Sequence, residues 1–338
     1  MSDPIVSVIL PFFRNPLVVE AVQSILAQTF RDFELIAIDD ASGNGVADLL
    51  KDIDDPRFRL VIREENGGEN KTRNHGVSLA RGKYIAFQDH DDVSYPNRFQ
   101  IQVEHLDRHP ELLGIGTACH YGESKELHMG PATMDEMWWA MIFNNHVMFP
   151  TVMVRADVAK RYPFGDLVAT EDYRWLYQVM REGGFVNIPE VTFHYRMQAT
   201  SLSMAKAELQ LTNLDLYRAK FAEAVGTVCS LDEVRLLRWL GTPRQEPWSI
   251  EDLRAAKSLL VRLVDGFQRT HPGAPPLARV DALARLRFAS TVSARGGWAV
   301  WANWNELRKE LAQGLSWSAL RLAAKCLVSA SAGRARSK

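Results

Sequence analysis

Tyr84-Ile85-Ala86-Phe87-Gln88-Asp89-His90-Asp91-Asp92 is the stretch on which the fold turns. Its first five residues form a short apolar run with the length and composition of a buried strand. Three carboxylates follow within four residues. Working back from it, residues 5–10 are a continuous, largely β-branched run, and 33–38 and 57–63 are two more strand candidates. Between them, Leu17, Ala21 and Ile25, with Val18, Val22 and Leu26, repeat at i, i+4, with Pro16 fitting the first turn of a helix. Val46, Leu49 and Leu50 suit a short second helix. Residues 74–80, closed by Gly82, suit a third, and 96–108 a fourth. The order β-α-β-α-β-α-β predicts an α/β fold with a mostly parallel sheet flanked by helices. In such sheets ligands bind beyond the carboxyl ends of the strands, where the acidic residues stand.

Downstream the pattern loosens. Residues 112–117 and 151–154 suit strands, and 171–182 a helix that Gly183-Gly184 would stop. Residues 185–188 and 192–195 look extended. After about Ser203 the periodicity is helical, with breaks near 241–247 and at His271-Pro272-Gly273-Ala274-Pro275-Pro276. The expected division is an α/β domain over residues 1–205 and a helical C-terminal region over 206–338. No internal repeat or low-complexity tract interrupts it.

Composition fits a folded soluble protein: 338 residues, 46% apolar and 24% charged. Cys119, Cys229 and Cys326 lack CxxC spacing, and their odd number suits a reducing cytoplasm better than a disulfide framework. No signal-peptide pattern follows Met1, and no run of ~18 apolar residues exists to span a bilayer. The net charge of −1 hides a split. Residues 285–338 hold ten Lys/Arg against two Glu, leaving 30 basic and 39 acidic residues before them. A basic tail of this kind points to an anionic surface.

Each acidic group has an ordinary reading beside a functional one. Asp89, Asp91 and Asp92 repel one another unless a cation sits among them, which a hard Mg²⁺ or Mn²⁺ would relieve; they could equally form a solvated turn. Asp39-Asp40, directly after a strand and before Ala41-Ser42-Gly43, could cap the next helix or accept hydrogen bonds from a nucleobase or ribose. Glu171-Asp172 open a helix, where acidic residues complement the dipole; that dipole would also favour the ionised form a general base needs.

Taken in order, the pieces form a recognisable set. Val6-Ser7-Val8-Ile9-Leu10-Pro11-Phe12, Gln23-Ser24-Ile25-Leu26-Ala27-Gln28-Thr29 and Phe33-Glu34-Leu35-Ile36-Ala37-Ile38-Asp39-Asp40-Ala41-Ser42 come first. Thr72-Arg73-Asn74-His75-Gly76, Ala80-Arg81-Gly82-Lys83-Tyr84-Ile85-Ala86-Phe87, Asp89-His90-Asp91-Asp92, Glu171-Asp172 and Tyr195-Arg196 follow. Over roughly residues 4–203 this set resembles family 2 glycosyltransferases, inverting enzymes of the GT-A (Rossmann-like) fold.

The resemblance implies a nucleotide-diphosphate sugar donor, a UDP-sugar in particular, and a glycan or lipid-linked acceptor. It sets Pro11 and Phe13 beside the nucleobase, Asp40 on the base with Asp39 as neighbour, and Arg73 and Asn74 beside the donor. Asp89 and Asp91 match the ends of a DxD motif, Asp91 as ligand of Mn²⁺ or Mg²⁺ and Asp89 toward ribose or metal-bound water. Asp172 matches the catalytic base, with Glu171 its rival; Arg196 belongs to the matching Tyr195-Arg196 segment, and Gln198 after it falls near the diphosphate. Two positions depart from the pattern: Phe13-Arg14 stand where Tyr-Asn is frequent, and Gln198 where histidine is frequent.

A nucleotidyltransferase would want a glycine-rich phosphate loop, and Pro11-Phe12-Phe13-Arg14-Asn15-Pro16 has no glycine. A non-catalytic sugar-nucleotide-binding protein would need neither Asp91 nor Asp172. In the tail, Trp298, Trp301 and Trp304, then Leu315, Leu320 and Leu327 with Arg321 and Lys325, suit either a packed helical bundle or a helix lying on a membrane surface. No nucleic-acid-binding motif accompanies the charge.

Overall fold

The computed structural model describes residues 3–166, 170–197, 207–241, 248–274 and 277–294. Gln198 and the tryptophan and leucine series from 298 onward lie outside the described residues. Two compact units divide the chain: Met1–Met137 with His146–Asn213, and Trp138–Asn145 with Leu214–Lys338.

The first unit is built on one sheet. Its strands are β1 (Val6–Phe12), β2 (Phe33–Asp39), β3 (Phe58–Ile62), β4 (Tyr84–Phe87), β5 (Val93–Ser94), β6 (Leu112–Tyr121), β7 (Glu126–His128), β8 (Met153–Arg155) and β9 (Gly184–Tyr195). They run in the order β3-β2-β1-β4-β8-β6-β9-β5, with β7 on β6. The long strands pair parallel: β2 with β3 and β1, β1 with β4, and β6 with β9. The short β5, β7 and β8 run antiparallel to their neighbours.

Every residue of β1 and β2 is buried. Strands covered on both faces lose the alternation of a half-exposed sheet, which is why they read as continuous apolar runs. Helices α1 (Val18–Leu26), α2 (Glu69–Leu79), α3 (Arg98–Arg108), α4 (Met134–Met141), α5 (Ala156–Arg161) and α6 (Glu171–Met180) follow in chain order. Residues 46–50 form a single 3₁₀ turn.

Three expectations shift. Helix α2 begins five residues before 74, because Gly68, at φ +81°, makes the turn into it and Asp40 accepts the Gly67 and Gly68 amides. The separate segments 185–188 and 192–195 are one strand, β9, whose register slips against β6 around Ala118. Helices α4 and α5 were not anticipated.

Gly76 lets α2 lie tightly on the sheet. A Cβ there would stand 2.5 Å from Ile9 Cγ2 and 2.7 Å from Ile38 Cδ1. That closeness seats the face of Thr72, Arg73, Gly76 and Val77 on β1 and β2.

In the second unit, α7 (Ala207–Ala224, from Leu214), α8 (Leu231–Gly241), α9 (Ile250–Thr270) and α10 (Leu277–Ala294) form a helical assembly. Ser249 and Asp252 make a reciprocal cap at the start of α9. Trp139 donates to Asp281 at 2.7 Å, and the Arg285 guanidinium lies 3.8 Å over the Phe143 ring. No described helix is long and apolar enough to cross a membrane.

Candidate active site

The carboxyl ends of β1 and β2 meet in register, Phe12 opposite Asp39. Pro11 is buried within β1, whereas Phe13, just beyond it, is 40% exposed. Arg14 turns the chain at φ +56°, donates to Ser42 Oγ and Ser42 O at 2.8 and 2.9 Å, and stands 4.8 Å over the Phe13 ring. Asp39 accepts from the Ser42 amide at 3.1 Å and from its hydroxyl. It fastens its own turn rather than capping a helix; the following turn is served by Asn44, which accepts from the Val46 amide.

Asp40 is buried and accepts three donors: the Arg63 guanidinium and the amides of Gly67 and Gly68, the latter two at 3.0 and 2.8 Å. A carboxylate offers about four acceptor positions, so three donors leave one unfilled. Arg63 also donates to Thr72 Oγ1 at 3.1 Å, which links Asp40 to α2 beside Arg73.

Arg73 is the hub. Its side chain is buried, and its Nη2 donates to Asp89 Oδ1 at 3.0 Å and pairs with Glu69 one helical turn earlier. Nη1 faces Glu171 Oε1 at 3.7 Å. The guanidinium lies 4.9 Å over the Phe149 ring and 5.5 Å from that of Phe164. Those rings pack with Phe87 and Trp175 into an aromatic wall, Phe164 stacking on Trp175 at 5.7 Å. Three carboxylates from three elements thus share one cation, and the deficit shows. Burial, with Asp89 and Glu171 nearby, pushes Glu69 up to about 7 despite Arg73.

Asn74 sits beside Arg73 but turns elsewhere. Its amide donates to Phe164 O and accepts from Phe164 N, both at 2.8 Å, so the side chain clamps the segment that supplies the aromatic wall.

The acidic turn after β4 rests on buried polar groups. Gln88 donates to the carbonyls of Asp89 and Asp92, each at 3.1 Å. Arg98, fully buried, donates to Gln88 Oε1, Ser94 Oγ, Gln102 Oε1 and Phe87 O at 2.9–3.0 Å. The Asp92 carboxylate accepts from Arg196 N at 2.8 Å and turns inward, its Oδ2 without a hydrogen-bond partner among the described residues. Burial and the charge of Asp89 push it well above the ordinary carboxylate range. Arg196 also donates to Asp91 O and pairs with Glu20 at 2.7 Å, which ties the end of β9 to this turn.

Asp91 keeps part of its side chain exposed. Burial and neighbouring Asp89 raise its carboxyl, outweighing His90. Among the described residues no three His, Cys, Asp or Glu side chains form a metal cage. The donor set instead suits a hard cation that takes one or two carboxylates and completes its shell with water and phosphate oxygens.

Glu171 and Asp172 open α6, whose face of Tyr173, Trp175, Leu176, Val179 and Met180 is buried. Each such large side chain contributes roughly 1.5–3 kcal/mol, which makes the first turn rigid. Trp175 also donates to Tyr162 O at 2.7 Å. Asp172 Oδ1 accepts from the Tyr173 amide at 2.7 Å. The dipole does not dominate here as the sequence suggested. Burial outweighs the Tyr173 amide and Arg73, and both acids are raised.

The structure therefore brings Arg73, Asp89, Glu171 and Asp172 together, with Asp40 joined through Arg63 and Thr72. Glu69, Arg63, Gln88 and Arg98 escaped sequence reasoning. Glu69 had a legible signal, its i, i+4 spacing to Arg73. Arg98 had none, since its partners are scattered amides, hydroxyls and carbonyls.

Known proteins resemble this chain. Residues 7–158 match the family model of Glycosyl transferase family 2. An uncharacterized glycosyltransferase of Haemophilus influenzae is 27% identical over 218 residues, 59% of this chain and 68% of that protein. An uncharacterized protein of Sinorhizobium fredii is 33% identical over 174 residues, 48% of this chain, and the chain spans 19% of its length. TarS of S. aureus, solved with UDP-GlcNAc, superposes with TM-score 0.57 at 15% identity over 92% of this chain and 93% of that one. A mannosyltransferase of Pyrobaculum calidifontis, solved with GDP-Man and Mn²⁺, gives 0.53 at 16% identity over 97% and 88%. These two likenesses carry the fold, the GT-A arrangement expected from the sequence.

Proposed function

We propose that this chain, whose residues 7–158 match the family model of Glycosyl transferase family 2, moves a sugar from a nucleotide-diphosphate donor, a UDP-sugar foremost, to an acceptor hydroxyl with inversion. The observation that carries this reading is the ion network Asp89–Arg73–Glu171, which draws the DxD turn and the first turn of α6 to one place.

In this reading Asp40 presents its open acceptor position to the base, with Pro11 and Phe13 lining the slot and Asp39 holding the turn. Asp89 faces the ribose. Asp91 would hold Mn²⁺ or Mg²⁺, which when bound offsets the charge of the leaving nucleotide diphosphate; the Mn²⁺ recorded with the Pyrobaculum enzyme is consistent with this. Asp172 takes the proton from the acceptor hydroxyl as its oxygen attacks the anomeric carbon from the face opposite the leaving group. Base assistance of this kind is worth ~10²–10⁴-fold.

The acceptor in this reading is a glycan or lipid-linked chain of cell-surface polysaccharide or glycolipid synthesis. The excess of Lys and Arg after residue 284 supports peripheral contact with an anionic membrane face.

A panel of UDP- and GDP-sugars incubated with Mn²⁺ tests the reading. Donor hydrolysis or transfer with one of them, lost in Asp172→Asn, is the expected result. Nucleotide release from none of them, with acceptor extracts added, would overturn it.

A further inference from the structure

Glu69 is unlike the other acids of the site. It is not part of the acidic turn or of α6, and it opens α2 directly after the two glycines whose amides Asp40 accepts. Its carboxylate pairs with Arg73 Nη2, the nitrogen that also serves Asp89, while Nη1 looks to Glu171. The guanidinium lies against the Phe149 and Phe164 rings, and its Nε finds no acceptor among the described residues. An arginine beside a bound diphosphate would ordinarily clamp phosphate oxygens with a bidentate fork. Here Nη2 is already taken by Glu69 and Asp89, and Nη1 faces Glu171 at 3.7 Å.

We propose that Glu69 is a positioning residue of this site: by pairing with Arg73 it keeps the guanidinium on Asp89 and Glu171 and off the donor's diphosphate. The inference rests on the transferase reading above and adds a division of labour to it. With Arg73 spent internally, the leaving group's charge falls to the Asp91 side of the crevice, and Glu171 stays paired while Asp172 serves as base. The charged groups that face Glu69 are Arg73 on its own helix, Asp89 and His90 on the acidic turn, and Glu171 on α6. Asp172 senses Glu69 as a like charge. Neutralising Glu69 should therefore change donor affinity.

Calorimetry with UDP in excess chelator, on wild type, Glu69→Gln, Glu69→Asp and the double variant Glu69→Gln/Arg73→Gln, tests this. Glu69→Gln keeps the shape and drops the charge, so Arg73 is released and UDP should bind about threefold to tenfold tighter. Glu69→Asp keeps the charge and should stay near wild type. The double variant should lose the gain, because the gain runs through Arg73. Wild-type affinity in Glu69→Asp beside a gain in Glu69→Gln is a pattern that a merely structural role would not produce. Unchanged UDP affinity in Glu69→Gln, or a gain that survives in the double variant, would overturn the inference alone. A wild-type protein that binds neither UDP nor GDP with Mn²⁺ present would overturn the transferase reading and this inference with it.

Discussion

Arg73 Nη2 donates to Asp89 Oδ1 at 3.0 Å, and this bond joins the middle of α2 to the acidic turn after β4. Glu171 lies 3.7 Å from the other terminal nitrogen of the same guanidinium. One buried cation thus sets the distance between the residues assigned to the donor and those assigned to the acceptor.

Replacing that cation should cost both stability and activity. Arg73→Ala leaves Glu69, Asp89 and Glu171 facing one another without their counter-charge, a loss that in buried pairs is about 3–5 kcal/mol. Urea unfolding measures it. Arg73→Lys keeps the charge but not the fork, so it should fold and still lose more than about tenfold in turnover, because one ammonium cannot hold both ends of the arrangement. A lysine variant with wild-type turnover would mean that charge alone suffices.

Asp91→Asn separates the cation from the fold. The residues that hold the acidic turn together are Gln88, Arg98 and Arg196, and none of them bonds the Asp91 side chain. The variant should therefore melt close to wild type while divalent-stimulated turnover disappears. Turnover in wild type that persists undiminished in chelator would remove the cation from the reaction.

Much of this was readable beforehand, for definite reasons. The strands around β1, β2 and β4 are covered on both faces, so their apolar runs are unbroken, and the carboxylates that end them stand out. Asp39, Asp40 and Asp89 follow from that contrast, whereas Asp172 stands out only by opening a helix and by the resemblance. The role of Asn74 did not, because its partner Phe164 lies 90 residues on and offers only its backbone. The acidity of Asp172 was misjudged for a related reason: the dipole is local and visible in sequence, whereas burial depends on everything packed around α6.

Gly76→Ala tests how α2 is set. Its methyl would fall inside contact distance of Ile9 and Ile38, both in the buried strands beneath. Overpacking of this kind costs about 1–3 kcal/mol. Since α2 carries both Glu69 and Arg73, the same shift should weaken turnover beyond what unfolding explains. A stable variant with unaltered kinetics would show that α2 can move without consequence.

The last expectation concerns Asp172 and has two parts of opposite sign. Burial raises its carboxyl above the usual value of about 3.9, and a base works only when unprotonated. Activity should therefore fall as pH drops through that raised value, so the acid limb lies above where an exposed aspartate would set it. Stability runs the other way. A group whose native pKa is raised binds its proton more tightly when folded, so the native state loses stability as pH rises from the unfolded value to the native one. Asp172→Asn removes that burden and keeps an oxygen for the Tyr173 amide. It should lower transfer by ~10²-fold or more, yet melt higher than wild type at pH 8, with the difference shrinking toward pH 4. Glu171→Gln, whose carboxylate is paired with Arg73, should be the milder change in turnover. If Glu171→Gln proves inactive while Asp172→Asn keeps its rate, the two residues exchange roles; if both retain activity, the proton is taken elsewhere.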